Sequence, residues 1–171
     1  YIKVLDAKTQ KHIIVAAACL DKMPQAENLT VIEKLPAQSL VGKRYEPLFP
    51  YFADQKNQNA FQILQDDFIT IEDGTGIVHL APAHGEDDHR VCQQANIPVI
   101  CALNKSGKFT DQTPELEGLY FKDANKKIIK DLKEKGLLYH QDVIEHNYPC
   151  CPRSDTPLIY KAIHSWYVAV T

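Results

Sequence analysis

Residues 66–92 read DDFITIEDGTGIVHLAPAHGEDDHRVC, and how this stretch divides into elements decides the reading of the chain. Phe68, Ile69, Thr70 and Ile71 form a β-branched and aromatic run, and Ile77, Val78 and Leu80 form a second. Glu72-Asp73-Gly74-Thr75-Gly76 between them supplies turn chemistry, so a β-hairpin is predicted. Side chains alternate along a strand, which puts His79 on the face of Ile77 and Ala81. Pro82 has no amide hydrogen for a ladder and Gly85 relaxes the backbone, so the chain is expected to leave the sheet through Ala81-Pro82-Ala83-His84-Gly85. From Glu86 the spacing is helical. Asp88, Val91, Cys92 and Ala95 fall on one stripe, while Glu86 and Arg90 can pair on another face.

Asp88 then has two explanations. An acid in a first helical turn complements the exposed amide donors there, which accounts for Glu86, Asp87 and Asp88 as a group. A carboxylate on an inward stripe must also be paired or face a cleft, because an unpaired buried charge is costly. His79 and His84 are read either as hydrogen-bonded histidines at a strand end or as lining of the same cleft.

Outward from this stretch, residues 1–20 read as a β-hairpin, with apolar runs at 1–5 and 13–19 around a polar centre. VIEKL at 31–35 stands isolated between prolines. LVGKRYEPLFPYF at 40–52 fits a folded loop anchored by Tyr45, Phe49, Tyr51 and Phe52, and DQKNQN at 54–59 fits an exposed loop. Residues 97–103 are a buried-strand candidate, followed by a turn at 104–108. DANKKIIKDLKEKGLL at 123–138 is the clearest helix, with Asp123 as N-cap, Ala124, Ile128, Ile129 and Leu132 on its apolar side and Gly136 at its end. Its lysines (Lys126, Lys127, Lys130, Lys133, Lys135) are read as a solvated face, with a phosphate-contacting patch as the alternative. LIYKAI at 158–163 and SWYVAV at 165–170 are read as strands. The expected fold is α+β and mainly β: a mostly antiparallel, barrel-like core with flanking helices, forming one domain over 1–171.

At 171 residues, 44% of them hydrophobic, the chain is long enough for one sizeable core. No apolar run approaches the roughly 18–20 residues that span a bilayer, so no membrane partner is expected. A net charge of −3 argues against a general nucleic-acid binder. Five cysteines, two of them adjacent at Cys150 and Cys151, suit reduced thiols and a cytoplasmic location better than a disulfide framework. His146, Cys150, Cys151 and His164 lack zinc-ligand spacing, so no metal is expected. Tyr1 opens directly into strand-like sequence without an initiator Met, so a piece of a larger polypeptide is expected.

GTGIVHLAPAHGEDDHRV (74–91), LVGKRYEPLF (40–49), TPELEGLYFKDANKKIIKDLKEKGLL (113–138) and YPCCPRSDTPLIYKAIHSWYVAV (148–170) together resemble the editing (connective-peptide) domain inserted in isoleucyl-tRNA synthetases of class I. That resemblance spans most of the chain. It implies a hydrolase that removes valine wrongly esterified to the isoleucine tRNA, its partners being the 3′ end of the mischarged tRNA, the valine moiety and the rest of the synthetase. The rest of the synthetase binds ATP; no cofactor is implied for the domain itself. A missing methylene is worth only about 1–3 kcal/mol of pocket discrimination, a general figure for which this synthetase family is itself the standard illustration, so a second sieve is needed.

By position in the motif, the resemblance gives Asp88 the substrate's α-ammonium group and gives His79 a place beside the side-chain pocket, where it helps exclude isoleucine. Ala81, His84 and Gly85 would line the wall, with Tyr148 at the rim, and His89 is expected at the surface. The resemblance further implies attack on the ester by a positioned water helped by the terminal ribose hydroxyl, with no covalent nucleophile on the enzyme. The family's threonine-rich strand of the type WTTTPWTLP, the opposite wall of the pocket, is not in this sequence, which implies weak or no activity for these residues alone. Two other classes stay in view: a metal-dependent hydrolase using His79, His84, Asp88 and His89, and a non-catalytic tRNA-docking module using the lysine helix.

Overall fold

A computed structural model describes all residues except Glu72, Asp73, Ile144, Tyr167, Ala169 and Thr171. The chain divides into two compact units, residues 1–46 with 59–80 and residues 47–58 with 81–171.

The first unit is built on the N-terminal hairpin. β1 (Ile2–Asp6) alternates buried and half-buried positions, placing Ile2, Val4 and Asp6 inward. It pairs antiparallel with β2 (His12–Val15), Ile2 opposite Val15 and Leu5 opposite His12. The hairpin loop is closed by Asp6. Its Oδ1 accepts the Lys8 amide at 2.8 Å and its Oδ2 accepts the Thr9 hydroxyl at 2.8 Å. The VIEKL segment is not isolated: β3 (Leu29–Lys34) pairs antiparallel with the free edge of β1, giving the order β2-β1-β3.

Ile2, Val4, Val15, Ala16, Cys19 and Met23 form the core of this unit. The second run of the hairpin is shorter than expected. β2 stops at Val15 because the Ala16 amide turns away to the Thr75 carbonyl (2.8 Å), and Ala17–Lys22 forms a 3-10 helix. Gly76 and Ile71 are tied to this core, the Gly76 carbonyl by Tyr1 Oη (2.7 Å) and the Ile71 carbonyl by the Cys19 thiol (3.4 Å). Gly76 has φ +71°, and a Cβ there would stand 2.5 Å from Ala16 Cβ, so only glycine fits.

Two expectations for this unit are corrected. Among the described residues neither 68–71 nor 77–80 forms a strand, and part of the expected turn, Glu72 and Asp73, lies outside the described residues. Beyond the turn, Thr75 Oγ1 takes up backbone groups that a ladder would have used, donating to the Ile77 carbonyl (2.9 Å) and accepting its amide (3.2 Å). The sheet is also open, with three strands among the described residues, rather than closed into a barrel. The α+β class holds.

In the second unit Pro50–Gln58 is 3-10 helix with a kink at Phe52, where an irregular loop was expected. α1 (Glu86–Gln94) buries Val91 and Cys92, the centre of the predicted stripe. α2 (Phe121–Glu134) begins two residues before the expected N-cap, so Asp123 sits in the first turn instead. Both helices end in the same way. Gly136 (φ +64°) and Asn96 (φ +54°) take the left-handed position, and the amides of Leu137 and Ile97 reach back to the Leu132 and Cys92 carbonyls. On α2, Lys127 pairs with Asp131 (3.0 Å) and Lys130 with Glu134 (3.7 Å), as a solvated face would.

The turn at 104–108 is present, with Asn104 Oδ1 accepting the Ser106 and Lys108 amides. The strands expected at 97–103, 158–163 and 165–170 do not form among the described residues; Tyr167 and Ala169 of the last run lie outside them. Residues 160–162 are instead held by single bonds, Lys161 Nζ to the Leu103 carbonyl (2.6 Å) and the Ala162 amide to the Ala83 carbonyl (2.8 Å). Among the described residues no helix is long and apolar enough to cross a membrane.

The Asp6 loop generates a pH prediction. The Thr9 hydroxyl bond is the largest cause holding the Asp6 carboxyl below its ordinary 3.8, with burial opposing and the Lys8 and Thr9 amides assisting. A depressed folded-state value stabilises the fold above the ordinary pKa, and that contribution is lost as pH falls through the folded value. Asp6→Asn should therefore lower the urea midpoint at about pH 6, and the gap to the native sequence should narrow as pH falls below the ordinary carboxyl value. A gap independent of pH would show that the ionised carboxylate is not what closes the hairpin.

Candidate functional site

The loop 81–85 enters α1 within the second unit. A turn closes it from the His84 amide to the Ala81 carbonyl (2.8 Å), and Ala83 is buried. Gly85 is the residue before the helix and has no side chain with which to cap it. Three acids follow in the first turn: Glu86, Asp87 and Asp88. Asp87 pairs with Arg90 at 3.0 Å, in place of the expected Glu86–Arg90 pair.

Asp88 folds back over the helix start. Its Oδ2 accepts the Ala81 amide at 3.3 Å, and among the described residues no hydrogen-bond donor reaches Oδ1. A Cβ on Gly85 would stand 2.5 Å from Oδ2, so the glycine serves by leaving space; its φ of −144° suits any residue. The carboxylate is half-buried. Its charge is also felt at Cys92, whose thiol is pushed up first by burial and then by Asp88. Cys92 therefore stays protonated, which suits packing and not nucleophilic attack.

Both histidines that flank this carboxylate in sequence are engaged. His89 Nδ1 lies 3.0 Å from the Pro82 carbonyl, so the expectation of a surface His89 is corrected: the ring is half-buried and straps the loop. His84 Nδ1 lies 2.8 Å from the Tyr160 carbonyl and its Nε2 lies 3.7 Å from Cys101 Sγ. A carbonyl only accepts, so Nδ1 carries the proton in both rings. In neutral His84 the remaining nitrogen is then an acceptor facing the Cys101 thiol, which also lies 3.5 Å from the Leu103 carbonyl.

Of the residues singled out in sequence, the structure brings together Ala81, His84, Gly85 and Asp88 in the second unit. His79 belongs to the first unit and is exposed there. Ile77 and Val78 on either side of the expected alternation are both exposed, so that alternation does not sort inside from outside. Tyr148 is engaged by partners outside the loop. Its hydroxyl donates to the Leu158 carbonyl (2.9 Å) and Lys122 Nζ lies 3.8 Å over its ring. Among the described residues no three His, Cys, Asp or Glu side chains gather as a metal site.

Sequence reasoning gave His89 a surface position or a metal ligand's role, and it missed Cys101 and the Tyr160 carbonyl. The His84 contacts to these two span 17 and 76 positions, and nothing local in the sequence marks them.

No family model matches the chain. It is 46% identical over 172 residues to isoleucine–tRNA ligase of Bdellovibrio bacteriovorus and 47% identical over 178 residues to that of Tetrahymena thermophila. To the Chlamydia pneumoniae enzyme it is 39% identical over 171 residues. Each alignment takes in 99–100% of this chain and 16% of the relative, so the chain spans about a sixth of the length of the curated relatives it matches. Along essentially its whole length, then, the chain is similar to one segment of isoleucine–tRNA ligases.

Proposed function

We propose that residues 1–171 act as one editing domain, hydrolysing the ester that joins valine to the isoleucine tRNA. The observation that carries this reading is the Asp88 carboxylate, half-buried, with Oδ2 on the Ala81 amide and Oδ1 left for a ligand. An aminoacyl ester presents an α-ammonium group beside the scissile bond. A fixed carboxylate in a partly dewatered place is the acceptor such a cation needs, because charge-assisted bonds are the strong ones and weaken in bulk water. The 39–47% identity to isoleucine–tRNA ligases supports an aminoacyl-tRNA as the substrate class.

In this scheme Asp88 orients the substrate and does not take a proton. A water attacks the ester carbonyl, helped by the terminal ribose hydroxyl, and the protonated Cys92 forms no acyl intermediate. His79 excludes the larger isoleucine side chain, and Ala81 and Gly85 form the wall beside Asp88. His84 stands behind that wall with both ring nitrogens engaged, so its part is support. The partners are the tRNA 3′ end and the rest of a synthetase chain, in the cytoplasm, and the domain's own step requires no cofactor.

The tests use the complete natural chain that carries these residues. Asp88→Ala should slow release of valine from the mischarged tRNA roughly 10- to 100-fold, the loss of one hydrogen bond to a charged group. Unchanged release would sink the assignment. His79→Ala should raise cleavage of the isoleucyl ester relative to the valyl ester, and an unaltered ratio would count against its sieve role. Gly85→Ala separates folding from function. The new Cβ meets the flexible end of Asp88, so stability should fall by only about 1 kcal/mol, the scale of changing a residue at a helix start. The displaced carboxylate should still cost most of the activity; full activity would mean that its seat does not matter.

A further inference from the structure

We infer that His89 is a positioning residue for the same site: by holding the Pro82 carbonyl it fixes the loop that seats Asp88, and so sets how well the substrate's ammonium group is bound. The inference rests on the editing function proposed above.

The loop's backbone groups are held one by one. The Ala81 amide goes to Asp88, the Ala81 carbonyl to the His84 amide, and the Ala83 carbonyl to the Ala162 amide. Of the Ala81, Pro82 and Ala83 carbonyls, that of Pro82 is held by a side chain, His89. Pro82 has no amide hydrogen, and its ring fixes φ, leaving ψ as its soft torsion. A bond on its carbonyl is therefore what stops that torsion. Consecutive helical residues project about 100° apart, so Asp88 and His89 can grip two different points of one loop from one helix turn. The grip is stiff because the amide of His89 is itself bonded to the Gly85 carbonyl at 2.9 Å.

The chemistry of the ring separates this role from acid–base catalysis. The carbonyl requires a proton on Nδ1, and that proton is present in both the neutral and the charged ring. Either form of the ring therefore makes the strap, and the residue has no proton to exchange on the side that faces the loop. The ammonium group keeps its charge from bound ester to transition state. A looser carboxylate then weakens both states equally, which raises KM and leaves kcat in place.

Asparagine places an N–H where Nδ1 stands, and glutamine places one where Nε2 stands. In the complete natural chain, His89→Ala and His89→Gln should raise KM for deacylation of the valyl ester roughly three- to tenfold with kcat unchanged, the range of one neutral hydrogen bond. His89→Asn should stay within about twofold of the native KM, because it keeps that bond, and its pH profile should overlay the native one. Asn and Gln variants that behave alike, a fall in kcat at constant KM, or a titration limb lost in His89→Asn would each overturn the role. Asp88→Ala run in parallel keeps the two failures apart. If it leaves deacylation intact, the editing function and this inference fall together; if it disables deacylation while the three His89 variants match the native chain, only this inference falls.

Discussion

The hydrogen bond from the Ala81 amide to Asp88 Oδ2 is the constraint on which the candidate site depends. It joins the start of the 81–85 loop to the first turn of α1, and it can form only because Gly85 leaves room for the carboxylate. It also decides what Asp88 is. A carboxylate in a first turn ordinarily turns toward the free amides of its own helix, where it gains from the dipole. Here it reaches an amide outside the helix and keeps one oxygen in hand. Capping and ligand binding, alternatives in the sequence, are thereby compatible: the helix start favours the charge, and the loop amide aims it.

Around that bond the second unit supplies stiffness without regular sheet. Residues 160–162 meet the loop through the Ala83 carbonyl and the His84 ring, and Lys161 anchors the same segment on the Leu103 carbonyl. Each bond is modest, and each takes up a carbonyl that would be costly to bury unpaired. The loop is thus determined from two sides, by α1 ahead of it and by the chain's last segment behind it. That arrangement suits a site whose task is orientation and not covalent chemistry.

Much of this was legible in the sequence wherever the signal is local. The 1–20 hairpin, both helices, the buried Val91–Cys92 stripe, the Asn104 turn and the Gly136 helix end follow from periodicity, caps and turn residues within a few positions. The strands expected from β-branched runs did not form. Ile77, Val78 and Val99 are exposed, as are Ile163 and Trp166, and β propensity describes a fit to a pleated, half-covered surface that needs a partner strand to exist. The segment around VIEKL was the reverse case: Leu29–Lys34, with little burial, becomes β3 because β1 offers an edge. In the site, the pairing of Asp88 with Ala81 was within reach of a stripe argument, but the engagement of His84 by Tyr160 and Cys101 rests on long-range contacts that no spacing encodes. His89 was misjudged because the resemblance assigned it no role, and a position in a motif takes no account of a loop folded back over the helix start.

The most direct measurement is a crystal structure of the complete natural chain bound to a non-hydrolysable valyl-amide analogue of the tRNA's terminal adenosine. The account predicts the analogue's ammonium group about 3 Å from Asp88 Oδ1, with Oδ2 still on the Ala81 amide. An ammonium group held elsewhere, with Asp88 making only its loop bond, would contradict it.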